Sequence, residues 1–165
     1  CACLVGSEMC IRDRLNCVAK QPEILLRKKA PIIITPHPGE MSRLTGLATP
    51  LVNAERERVA LDFAQKYGVV TVLKGAGTVI ASPNGKVLVN PTGNSGMATG
   101  GSGDVLAGMT ASILAQGASA FLSAAAAVYL HGLAGDIAAE KYGKISMLPT
   151  DLINCIPLAY KRCGF

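Results

Sequence analysis

Apolar and polar positions change their period several times along this chain, and each change marks an element. Residues 21–29 read as a short amphipathic helix, while Ile32-Ile33-Ile34, framed by Pro31 and Thr35, make an apolar β-branched run of strand length. Its uniform apolarity predicts a strand buried on both faces. Pro36-His37-Pro38-Gly39-Glu40 breaks it, and Pro38 is suited to open a helix through Leu44. Asn53 then reads as the cap of a helix to Tyr67, because Val59, Ala60, Phe63 and Ala64 recur at helical spacing. Gly68 stops that helix, and residues 69–73 form a second apolar run, so strand, helix and strand alternate as a parallel sheet requires.

Farther on, residues 78–81 and 86–89 flank Ser82-Pro83-Asn84-Gly85, whose Asn-Gly step predicts a β-hairpin. A glycine-rich stretch over 91–103 feeds a helix over 104–115, and Ser119 is placed to cap a long helix to Ala139. Pro149-Thr150-Asp151 opens a last helix, which Pro157 should kink or interrupt. The pattern predicts an α/β fold with a mostly parallel sheet and a β-hairpin. At 165 residues, without an internal repeat or a dividing linker, it belongs to one domain.

The opening residues stand apart. Glu8-Met9-Cys10-Ile11-Arg12-Asp13, with Arg14 completing the junction, resembles the in-frame translation of a library adaptor. Residues 1–14 are therefore expected to be a foreign segment, with the natural domain over 15–165.

Composition adjusts this picture only slightly. The formal charge of +5 would favour an anionic ligand, but Arg27-Lys28-Lys29 and Lys161-Arg162 are short runs typical of solvated helix ends. No basic stripe interleaved with aromatics is present, so no nucleic-acid partner is expected. The 6 cysteines lack paired ligand spacing, which argues against a zinc site or a disulfide framework and for a reducing cytoplasm. No charge occurs between Asp104 and Asp136, yet Gln116-Gly117 interrupts the run and Ala, Gly and Ser dominate it. A membrane-spanning helix is not expected there.

Chemistry concentrates in Asn94-Ser95-Gly96-Met97-Ala98-Thr99-Gly100-Gly101-Ser102-Gly103-Asp104. Glycines allow close backbone approach to an anion, and a helix that begins near Gly103 presents unpaired N–H groups and a positive dipole end. Asp104 there either removes a proton from a hydroxyl beside an anion hole of Gly101, Ser102 and Gly103, or only favours the first turn of its helix. Lys74-Gly75-Ala76-Gly77-Thr78 comes directly after a buried strand, where open α/β sheets bind ligands, and Lys74 is able to reach phosphates. An exposed turn is the plain alternative. His37 also comes after a buried strand and is either a ligand of the same crevice or a helix cap. His131 and Asp136, on the long helix, read as structural.

Together the Thr35-to-Glu40, Lys74-to-Thr78 and Gly101-to-Gly108 motifs resemble the bacterial NAD(P)H-hydrate dehydratases, in order and at plausible spacing, over nearly all the chain from Leu15 onward. The resemblance implies a ribokinase-like fold in which Lys74, Gly75, Ala76, Gly77, Thr78 and Gly103 contact the nucleotide, while His37 and Asp104 face the hydrated nicotinamide. It implies ADP or ATP as co-substrate with Mg²⁺, and NADH hydrate and NADPH hydrate as substrates. Asp104 would be the base for phosphorylation of the ring hydroxyl, and phosphate would then be eliminated. No metal ligand is assigned. Related sugar and vitamin kinases usually carry Asn where His37 stands, which favours the dehydratase. Members of the family have a longer amino-terminal half, so the resemblance implies that this half is missing here, and that the full-length protein is a homo-oligomer. A kinase of a small alcohol or vitamin precursor and a non-catalytic nucleotide-binding fragment are the alternatives.

Overall fold

The structure, a computed structural model, describes residues 8–10 and 12–165, with side chains from Leu15 onward. Most of the segment read as foreign, including residues 1–7 and 11, lies outside the described residues. Five strands, β1 (Glu8–Cys10), β2 (Ile32–Ile34), β3 (Val70–Leu73), β4 (Val79–Ala81) and β5 (Val87–Val89), form one sheet in that order. Pairing is parallel from β1 to β3 and antiparallel from β3 to β5, so the expected hairpin forms the far edge of a mixed sheet. Among the described residues seven α-helices cover it: α1 (Arg12–Val18), α2 (Pro38–Thr45), α3 (Thr49–Ala54), α4 (Arg56–Tyr67), α5 (Ser102–Ala115), α6 (Ala120–Tyr142) and α7 (Pro149–Arg162).

Side-chain alternation along the strands splits the interior into two cores. Ile33, Val70, Val72 and Ile80 face α5, α6 and α7, whereas Ile32, Ile34, Leu73, Val79 and Ala81 pack with residues of α1 to α4. Both faces of β2 and β3 are thus covered, which is why every β2 residue and all of β3 but Thr71 are apolar. Gly68 ends α4 in the left-handed conformation at φ 67°, and the Ser119 side chain accepts the Leu122 N–H at the start of α6.

Three elements differ from the sequence expectation. Residues 22–27 form a 3₁₀ helix rather than an amphipathic α-helix, because only Leu25 is anchored in the core while Ile24 and Leu26 are exposed. Asn53 is not a cap: it lies inside α3, which Pro50 opens, and Glu55 separates α3 from α4. Pro50 in the first turn was the signal for the extra helix. α7 runs through Pro157 without interruption. Ile153 and Pro157 share its exposed side, so the carbonyl left without an N–H donor is turned to water.

α6 is the pivot of the larger core. Its length and mean hydropathy of 1.3 would suffice to cross a membrane, but 56% of the apolar window is buried within the fold. Glycines on one face of α6 let the segment before α5 lie flat upon it. A Cβ at Gly135 would collide with the Met97 side chain, and one at Gly132 would stand 2.8 Å from the Thr92 carbonyl carbon. Backbone cannot move away as a flexible side-chain tip can. Gly132→Ala is therefore expected to cost about 1–2 kcal/mol net, since overpacking outweighs the gain in helix propensity. Denaturant unfolding checks this, and a more stable variant would show that the segment does not rest on α6 as described.

Candidate active site

Two parallel neighbours, β2 and β3, end at the same edge of the sheet, and the site is built from the loops that leave them. Directly beyond the strands, the Lys74 N–H donates to the Pro36 carbonyl at 2.8 Å, joining the two loops. After β2, His37 caps α2. Its Nδ1 accepts the N–H groups of Gly39 at 3.0 Å and Glu40 at 3.3 Å, and the Glu40 carboxylate accepts the His37 N–H at 2.7 Å. Because Nδ1 is an acceptor twice over, neutral His37 carries its proton on Nε2. The cap reading of His37 is thereby realised in the fold.

Glu40 is the residue that sequence reasoning passed over, although it was visible as the last member of its motif. It is 1% exposed, and among the described residues Oε1 has no hydrogen-bond partner. Oε1 lies 3.6 Å from His37 Nε2, and Oε2 lies 3.9 Å from Lys74 Nζ. A buried carboxylate with an unmet acceptor is costly unless positive charge stands close by. Lys74 supplies that charge.

Lys74 also reaches the glycine-rich segment. A Cβ on Gly103 would stand only 3.3 Å from Lys74 Nζ, so the ammonium lies against the first turn of α5. That turn begins after Gly101, which adopts φ 95°, and no side chain caps it. The Ser102 N–H makes a long bond of 3.4 Å to Thr99, the Asp104 N–H bonds Gly101, and the Gly103 N–H donates to no acceptor among the described residues. Asp104 lies on the same turn, exposed to solvent. The first turn of an α-helix with an open N–H and an adjacent ammonium is suited to a phosphate.

His131 supports this turn from α6. Its Nε2 donates to the Ser102 carbonyl at 2.9 Å, and the Ser102 hydroxyl lies 3.4 Å away. Burial pushes His131 down to about 4 from its usual 6.5; the Ser102 carbonyl opposes the fall and the Lys74 charge adds to it. Asp136, one turn along, accepts from the Gly93 N–H at 2.8 Å and from the Asn94 side chain at 2.9 Å. It anchors the segment that leads into α5.

Gly75 to Thr78 turn at the end of β3, with Gly75 at φ 147° and Gly77 at φ 62°, both in territory that favours glycine. A cavity of about 470 Å³ opens beside this turn toward α4 and is lined by Asn53, Arg56, Ala76, Gly77, Val79 and Val89 among others. None of His37, Lys74 or Asp104 lines it. Among the described residues no group of three or more His, Cys, Asp or Glu side chains could hold a metal ion.

A family model for NAD(P)H-hydrate dehydratase matches residues 12–158, nearly the whole chain. The chain belongs to the NAD(P)H-hydrate dehydratase family. The bifunctional NAD(P)H-hydrate repair enzyme of Thermofilum pendens is 46% identical over 149 residues, which are 90% of this chain and 28% of that protein. The ADP/ATP-dependent NAD(P)H-hydrate dehydratase of Bacillus subtilis, co-crystallised with ATP and Mg²⁺, superposes with a TM-score of 0.79 at 37% identity. That match covers 82% of this chain and 49% of the other. A ribokinase-like superfamily protein of Enterococcus faecalis gives 0.76 at 31% identity, covering 93% and 52% of the two chains. The fold is thus ribokinase-like, and the chain spans about half the length of these solved relatives.

Within this family fold, His131 gives a measurable pH dependence. Its folded pKa lies below the unfolded one, so its contribution is fully present above about pH 6.5 and is lost as pH falls toward about 4. The stability difference between the parent and His131→Gln should shrink by roughly 3 kcal/mol across that window, at about 1.36 kcal/mol per pKa unit. Urea unfolding at several pH values measures it. A difference that stays constant would show that His131 is not held neutral against α5.

Proposed function

We propose that this chain carries the nucleotide and phosphoryl-transfer centre of an enzyme that returns NADH hydrate and NADPH hydrate to NADH and NADPH. One observation supports this reading above all: Lys74 Nζ lies against Gly103, so the motifs after β3 and before α5 converge on one open N–H. Two phosphate-binding features that are 29 residues apart in sequence meet in space, and the family assignment gives that meeting its chemistry.

In this reading Lys74 and the turn over 75–78 hold the phosphates of ADP or ATP, and the Gly101-Ser102-Gly103 backbone steadies charge that develops on the transferring phosphoryl group. Asp104, exposed on the same turn, takes the proton from the ring hydroxyl of the hydrate. The hydroxyl oxygen then attacks the terminal phosphorus, and AMP or ADP departs. Loss of phosphate together with a ring proton restores the double bond, so the net change is dehydration coupled to nucleotide hydrolysis. His37, held as the Nε2–H tautomer, offers a donor to the substrate rather than a base. Mg²⁺ would arrive on the phosphate oxygens, as it does where protein carboxylates are few, and would neutralise charge on the leaving nucleotide. Such a reaction belongs in the cytoplasm, where reduced nicotinamides are used.

Asp104→Asn separates the base from a residue that only favours the helix electrostatically. In a protein of full family length that contains this chain, incubation with NADH hydrate, ADP and Mg²⁺ should restore the absorbance of reduced nicotinamide. Asp104→Asn should lower that rate ~10²–10⁴-fold with nucleotide affinity nearly unchanged. A near-parent rate would remove Asp104 from the mechanism. Accumulation of a stable phosphate ester would make the protein a kinase, and nucleotide binding with neither product would make it a binding module.

A further inference from the structure

Arg56 occupies the first position of α4, the end of a helix where the dipole disfavours a cation. Its guanidinium is partly buried, and burial pushes its pKa below the ordinary arginine value. Its neighbour Glu55 pairs with Arg58 instead, and among the described residues no carboxylate pairs with Arg56. Neither helix stability nor ion pairing accounts for an arginine here.

Its contacts lie elsewhere. Nη2 donates to the Leu73 carbonyl at 2.9 Å and to the Gly77 carbonyl at 3.4 Å, and a Cβ on Gly75 would stand 2.7 Å from Nη1. The guanidinium therefore packs flat into the turn after β3, and the close approach needs a glycine at 75. In a trans peptide the C=O and the next N–H point in opposite directions. Holding the Leu73 carbonyl on the α4 side thus aims the Lys74 N–H at Pro36, which it meets at 2.8 Å. Holding the Gly77 carbonyl aims the Thr78 N–H away from α4. The Gly75 carbonyl is engaged too, by the Thr78 hydroxyl at 3.0 Å. The N–H groups of Gly75, Ala76, Gly77 and Thr78 donate to no acceptor among the described residues. The turn has its carbonyls engaged and its amides open, the arrangement of a backbone anion nest.

We propose that Arg56 is a positioning residue for the nucleotide: it fixes the carbonyls of Leu73 and Gly77 and so presents the amides over 75–78 to phosphate. It touches neither nucleotide nor substrate. This rests on the reading of residues 74–78 as the nucleotide loop, and it adds a residue outside all three motifs to that site.

Calorimetric titration with ADP and Mg²⁺, combined with ¹⁵N relaxation, tests it on Arg56→Met and Arg56→Lys. Met keeps the aliphatic stem but donates nothing, so ADP affinity should fall about tenfold or more, as expected when binding groups are misplaced by a fraction of an ångström. Lys should recover part of the loss, since it can still reach one carbonyl. Order parameters of the amides over 75–78 should drop in Arg56→Met from roughly 0.85 to below about 0.6, with those of α6 unchanged. If Arg56→Met fails to fold, Arg56→Lys decides: weaker ADP binding with a looser turn supports the proposal, and parent-like values overturn it. A parent that binds ADP alongside an Arg56→Met that binds equally well overturns the role of Arg56 alone. A parent that binds no ADP overturns the nucleotide reading and this proposal together.

Discussion

The site depends on the parallel register of β2 and β3. Pairing of Ile33 with Val70 and Ile34 with Thr71 sets both carboxyl ends at one edge of the sheet, and the Lys74 N–H to Pro36 bond carries the pairing past the last residue of each strand. From that point each loop departs with its own polar groups, an imidazole and a carboxylate after β2 and an ammonium after β3. A one-residue slip would turn every side chain to the opposite face and separate these groups. The apolar cores on both faces fix the register, and through it the chemistry.

Polar groups close to the site are buried in ways that stability alone does not favour. Glu40 keeps one carboxylate oxygen without a hydrogen bond, His131 is held neutral in the core, and Arg56 lies partly buried without a counter-charge among the described residues. Each holds the backbone of one segment of the site: the His37 cap, the Ser102 carbonyl, and the turn after β3. Conflicts between burial and polarity gathered around one place are expected where function sets the side chain.

Much of this was legible in the sequence because its signals were local. The apolar run of β2 and the nearly apolar one of β3 reported burial on both faces, Asn84-Gly85 reported the hairpin, and Ser119 reported the start of α6. The convergence of Lys74 with Gly103 was legible only through family resemblance, since nothing local links positions so far apart. Arg56 was not legible at all: its partners are backbone carbonyls, which leave no trace in side-chain identity. The separate α3 was hidden because Asn53 looked like a cap, and tertiary placement overrode that local preference. The 3₁₀ helix over 22–27 arises similarly, where one buried leucine cannot sustain an amphipathic face.

Lys74 joins the buried carboxylate, the open N–H of α5 and the turn after β3, so its ammonium is the point on which the account rests. Titration of Lys74→Ala with ADP and Mg²⁺ by calorimetry, with folding verified by circular dichroism, tests this directly. The expected result is a folded protein whose ADP affinity has fallen about tenfold or more, the loss of a charge-assisted contact to phosphate. A folded variant with parent affinity for ADP would contradict the account and leave Lys74 an exposed turn residue.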